Sequence, residues 1–117
     1  MVDQSKRSAG LIAEDIACNY LTQEGLLLRG RNFYSRFGEI DIIMQDIDTL
    51  VFVEVRQRKS GYADALESIS YFKQKKLLKA ANYYLSKYAN DSTPCRFDAV
   101  ILNGDNQPLW LKNIIMS

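Results

Sequence analysis

The apolar positions change period along the chain, and each change marks an element. Between Ser8 and Glu24, Ile12, Ala13, Ile16, Ala17, Tyr20 and Leu21 recur at helical spacing. This predicts a helix with one apolar stripe, with Ser8 as its N-cap and Gly25 as its stop. At about 100° per residue, Asp15 points away from the stripe, while Glu14 sits at its edge in line with Ala17 and Leu21. A carboxylate at that edge is half-buried once the helix packs on a sheet.

The period then shortens. Leu26 to Tyr34 reads as a strand with basic residues interleaved, Glu39 to Gln45 as a second, and Leu50 to Arg58 as a third. Asp46-Ile47-Asp48-Thr49 is a short polar turn joining the last two as a hairpin. Gly61 to Ser68 reads as a loop or helix entry. Ile69 to Tyr88 returns to helical spacing, with Leu77, Leu78, Ala81, Tyr84, Leu85 and Tyr88 on one side. Arg96 to Leu102 is a fourth strand, and Leu109 to Ile115, after the turn Asn103-Gly104-Asp105-Asn106, a fifth. The order α-β-β-β-α-β-β predicts an α/β protein with a mixed sheet flanked by helices. No linker divides it, so residues 8–117 are expected to form a single domain behind a flexible stretch at 1–7.

Composition narrows the chemistry. The chain contains no histidine. Ser-His-Asp and Cys-His relays and HExxH zinc sites are therefore excluded, and acid–base work falls to carboxylates, Lys, Tyr or water. A metal site must use oxygen ligands, which suit magnesium, manganese or calcium. Cys18 and Cys95 have no metal-ligand spacing and read as free, buried thiols. With no membrane-length apolar run and no secretory pattern at the N-terminus, a cytoplasmic protein without a membrane partner is expected. Net charge is only +1, but the cations are bunched. Arg29, Arg31 and Arg36 precede the second strand, Arg56, Arg58 and Lys59 close the third, and Lys73, Lys75, Lys76 and Lys79 follow on the long helix. Such patches suit a polyanion, although ordinary solvated surface produces them too.

The candidate chemistry lies on the hairpin. Alternation puts Glu39, Asp41 and Ile43 on one face of the second strand, with Ile40, Ile42 and Met44 on the other. Phe52, Glu54, Arg56 and Arg58 share a face of the third. A turn centred between Ile47 and Asp48 sets Asp41 opposite Glu54 and Glu39 opposite Arg56. Facing carboxylates repel unless one keeps a proton or a cation lies between them. A divalent cation would take Asp41 and Glu54 as ligands, with Glu14 adding a ligand or holding a water. Arg56 could then hold a phosphate bidentately. Simple ion pairs, Glu39 with Arg56 and Glu54 with Arg58 or Arg36, are the competing reading. The apolar runs Ile-Asp-Ile-Ile and Val-Phe-Val-Glu-Val weigh against it, since a carboxylate within them is costly unless paired.

Gly38-Glu39-Ile40-Asp41-Ile42-Ile43 and Val51-Phe52-Val53-Glu54-Val55-Arg56 resemble the paired motifs of the bacterial YraN family. Ala13-Glu14 with Ala17 and Tyr20-Leu21, Lys73 and Lys76-Leu77 before Tyr84-Leu85, and Arg96-Phe97-Asp98 extend the resemblance over roughly residues 8–115. It implies a restriction-endonuclease-like α-β-β-β-α-β core, distantly similar to archaeal Holliday junction resolvases. It further implies a nuclease acting on DNA, branched or otherwise structured DNA included. Asp41, Glu54 and Arg56 would be catalytic, and Asp41, Glu54 and Glu14 would bind Mg2+ or Mn2+. Arg29, Arg31, Arg36, Arg58, Lys73 and Lys76 would contact nucleic acid, Glu39 and Gln74 would be accessory, and a homodimer would suit paired cuts. The resemblance places a lysine at position 56, where this chain has Arg56. Arginine keeps the charge but does not readily lose a proton. That leaves a second reading, a non-catalytic nucleic-acid- or partner-binding domain on a nuclease fold.

Overall fold

The computed structural model describes the backbone of residues 4–115 and the side chains of residues 10–115. Helix α1 (Gln4–Gln23) is followed by strands β1 (Leu27–Ser35), β2 (Gly38–Asp46) and β3 (Thr49–Gln57). Helices α2 (Tyr62–Glu67) and α3 (Tyr71–Tyr88), then strands β4 (Cys95–Leu102) and β5 (Pro108–Leu111), complete the chain. The five strands lie in one sheet in sequence order. It is mixed: β3 and β4 run parallel, and every other neighbouring pair is antiparallel.

The expected elements are present, with four differences. Helix α1 is already formed at Gln4, so Ser8 lies inside it rather than at its cap; of the N-terminal stretch expected to be flexible, residues 1–3 lie outside the described residues. The segment read as loop or helix entry contains α2, and Ser70 starts α3 as its N-cap, its side chain accepting from the Lys73 amide. Strand β5 ends at Leu111, because the Ile114 N–H turns back to donate to the Phe97 carbonyl at 2.7 Å. Cys95 is exposed rather than buried, although both cysteines are free thiols as expected.

Alternation along the strands divides the core into two layers. Val51, Val53, Val55, Ile42, Met44, Val100 and Leu102 pack with Ala13, Ala17, Cys18 and Leu21 of α1. Leu50, Phe52, Ile43 and Phe97 pack on the other face with Leu77, Ala80, Ala81 and Leu85 of α3. Ala65 of α2 and Ile69, just after it, pack against Ala99 and Ile101. Gly38 opens β2 at φ +146°, and a Cβ there would lie 3.4 Å from that of Lys76. The strand therefore approaches α3 closely at this glycine. Among the described residues no helix is long and apolar enough to cross a membrane.

Candidate metal centre

The hairpin register follows the turn. Asp46 pairs with Thr49, Met44 with Val51, and Ile42 with Val53. The ladder stops at Ile42–Val53, one step before Asp41 and Glu54 would face each other. Instead, the Asp41 carboxylate reaches across and accepts the Val55 backbone N–H at 2.9 Å. Beyond this point β2 no longer keeps its alternation. Ile40, expected beside Ile42 and Met44, joins the α3-side cluster and pairs with Phe33 of β1. The expected Glu39–Arg56 pair is absent: Glu39 lies beside Tyr34 of β1, and Arg56 beside Ile101 of β4.

The parting of β2 and β3 opens a cavity of about 400 Å³, whose walls include Glu14, Glu39, Asp41, Glu54, Arg56, Arg58 and Lys73. An intact sheet would keep its two helical layers apart. At this fork both layers reach one space, with α1 supplying Glu14 and α3 supplying Lys73. Carboxylate oxygens of Glu14, Glu39 and Asp41 lie within 4.8 Å of one another. Glu39, expected as accessory, thus joins Glu14 and Asp41, whereas Glu54, expected as a ligand, is not among the three.

Glu54 forms the floor and is 1% exposed. Its Oε1 forms ion pairs with Arg56 Nη2 at 3.2 Å and with Lys73 Nζ at 3.7 Å. Its Oε2 is buried without a hydrogen-bond partner, and so is Arg56 Nε. Burial, and then the charge of Asp41, push the Glu54 carboxyl up to about 7 despite Lys73 and Arg56, which pull it down. The same two causes raise Glu14 and Glu39 above their ordinary value. Each carboxyl is thus stabilised in its neutral form unless a cation joins it. An acceptor set made only of carboxylate oxygens matches the chemistry of a hard divalent cation.

The other expected contacts divide. Arg58 lines the cavity, and Arg31 is held by Asp15 at 2.7 Å and Glu14 at 3.4 Å. Arg29 faces a separate groove beside Phe33, Tyr84 and Tyr88, and Arg36 lies over the Phe37 ring at 4.8 Å. Gln74 donates to the Ile69 carbonyl at the entry to α3 and does not reach the cavity wall. Asp98 pairs with Arg96 at 3.1 Å and also accepts Trp110 Nε1 at 2.9 Å, which keeps that indole against the core.

A family model described as uncharacterised protein family UPF0102 matches residues 13–102, a span that holds every carboxylate and cation of this cavity. A UPF0102 protein of Nitrosococcus oceani is 42% identical over 118 residues, covering 97% of this chain and 95% of that protein. One from Psychromonas ingrahamii is 45% identical over 112 residues, covering 94% and 91%. One from Legionella pneumophila is 45% identical over 107 residues, covering 89% and 91%.

Proposed function

The chain belongs to the UPF0102 (YraN) family, and we propose that it is a divalent-metal-dependent nuclease that hydrolyses DNA phosphodiesters. One observation carries the reading: the same cavity holds an orphaned acceptor, Glu54 Oε2, and an orphaned donor, Arg56 Nε. A cation alone would satisfy only the first, and an anion alone only the second. A phosphodiester bound together with a divalent cation satisfies both.

In this reading Asp41, Glu54 and Glu14 hold Mg2+ or Mn2+, and Glu39 adds a carboxylate beside Asp41. The bound cation supplies Lewis-acid stabilisation of phosphoryl charge and acidifies water. Arg56 donates to the non-bridging oxygens of the scissile phosphate. Lys73, which meets Glu54 from α3, brings an ammonium to the site even though position 56 is arginine. Arg58 holds flanking backbone. The hairpin with its two acids, the helix acid and the neighbouring cations support a restriction-endonuclease-like assignment for the fold. A homodimer would present two such cavities to a branched substrate.

The test is cleavage of labelled four-way junction, flap, single-strand and duplex DNA with Mg2+ or Mn2+. We expect cleavage that the Asp41→Asn/Glu54→Gln double variant loses. The rival reading, a binding domain without turnover, is favoured by the wide guanidinium of Arg56, already tied to Glu54. Binding without cleavage of any substrate would sink the nuclease reading and establish that rival.

A further inference from the structure

No acidic residue occurs between Glu67 and Asp91, whereas α3 carries Lys73, Lys75, Lys76, Lys79 and Lys87. On a chain of net charge +1, this is a strong local excess of cations. Helical geometry sorts them. With Leu77, Ala80, Ala81 and Leu85 against the sheet, Lys76, Tyr83, Phe72 and Lys79 fall within a fan of about 60° on one flank, next to Lys73. Lys73 is already at the wall of the carboxylate cavity, so the flank begins there.

The flank sets one exposed ring, Phe72, among its cations, and Lys87 lies over the half-buried Tyr83 ring at 5.0 Å. Phe72 is 77% exposed, and among the described residues no other ring packs on it. Lys76 lies over Gly38, which brings the β1–β2 turn against the helix. That turn adds Phe37, 5.8 Å from the Tyr83 ring, and Arg36 above Phe37. Among the described residues Lys76, Lys79 and Arg36 have no carboxylate partner. The sequence pattern flagged the lysines but not Phe72, because an aromatic in the first turn of a helix counts as one more apolar position. Its exposure is the signal.

We infer that this flank is a track for single-stranded nucleic acid. One strand leaves the cavity at Lys73, passes Phe72 and Lys76, and ends against Tyr83, Phe37 and Arg36. From Phe72 to Tyr83 the helix rises about 16 Å, enough to follow a short stretch of strand. Lysines alone would serve a duplex equally well. The exposed ring of Phe72 favours unpaired bases, which offer faces to stack on and which a duplex keeps inside. The inference rests on the nuclease reading for the identity of the polyanion, and not on hydrolysis. The substrate then carries an unpaired segment beside the bond that is cut.

Fluorescence anisotropy with the full chain in EDTA tests it, using a labelled oligothymidine and a blunt duplex of equal length. Tighter binding of the single strand is expected. Phe72→Ala should weaken that binding by about fivefold or more and leave duplex binding unchanged, while Phe72→Trp restores it. Lys79→Gln should lower the slope of log K against log salt by about 0.7 for the single strand. Duplex binding as tight as single-strand binding, equal loss of both in Phe72→Ala, absence of DNA binding, or displacement of DNA by polyglutamate of matched charge would each overturn the track. Loss of the cleavage result with single-strand preference intact removes the nuclease reading and leaves the track standing. Cleavage unaffected by Phe72→Ala, with no strand preference, does the reverse.

Discussion

At the scale of single residues, Glu54 carries the most consequence. Its carboxyl titrates near 7 in the folded chain, against an ordinary value of 4.5. Between those values the folded state binds more protons than the unfolded state, so stability falls as pH rises through that window. The difference corresponds to about 3 kcal/mol at most. The metal-free chain should therefore melt at a higher temperature near pH 5 than near pH 8. Glu54→Gln should flatten that slope, and thermal scans across the range check it. A retained slope in the variant would move the titration to another group. Magnesium should oppose the slope, because a cation competes with the proton for the same oxygens. At a hundredfold excess over its Kd it should add about 2.7 kcal/mol, seen as a rise in Tm at pH 8 that shrinks at pH 5. The hairpin register as far as Ile42–Val53 was legible in the sequence, since a short turn between two strands fixes it, and it brings Asp41 and Glu54 to one cavity. The approach of Lys73 to Glu54 was not, because no local pattern says which helix crosses the end of a strand.

At the scale of elements, the turns and breaks are informative. Asp46 and Thr49 close the hairpin across two residues, and Ile47 takes φ 58° while 90% exposed. A β-branched residue in the left-handed region is strained, and its side chain buries nothing in return. Ile47→Asn should raise stability by about 1 kcal/mol, read from the midpoint of urea unfolding, because asparagine tolerates that conformation. The hairpin itself was legible, as strong alternation flanks a polar turn. The break before α3 was legible to within two residues, whereas α2 was not resolved from a loop or helix entry, because six residues with Ala65 as their one buried position show no period. The change of layer at Ile40 was hidden too. Alternation assumes an unbroken strand, and β2 departs from that once β3 no longer pairs with it.

At the scale of the whole molecule, the site depends on a sheet that is covered on both faces and open at one fork. Phe52 anchors the α3 layer, fully buried with ring centroids 5.5 Å from Phe97 and 5.8 Å from Tyr84. It sits two residues before Glu54, so strand and site are held by the same packing. Phe52→Ala should cost about 3–5 kcal/mol in urea unfolding with an unchanged m value. The mixed sheet and its helices were legible from the order of periods, since each layer must bury one apolar face. The cavity was not. It arises where pairing ends, and pairing is a property of two strands together.

The Asp41–Val55 hydrogen bond gives the protein a reporter of its own. One β3 amide proton is guarded by the side chain of a site carboxylate rather than by a neighbouring strand. Its exchange with deuterated solvent therefore follows the freedom of that carboxylate, while amides inside the ladder follow the opening of the sheet. A ligand that immobilises Asp41 should slow exchange at Val55 and leave Val53 unchanged. Occupancy of the cavity could then be read at a single backbone position, without a label and before any bond is broken.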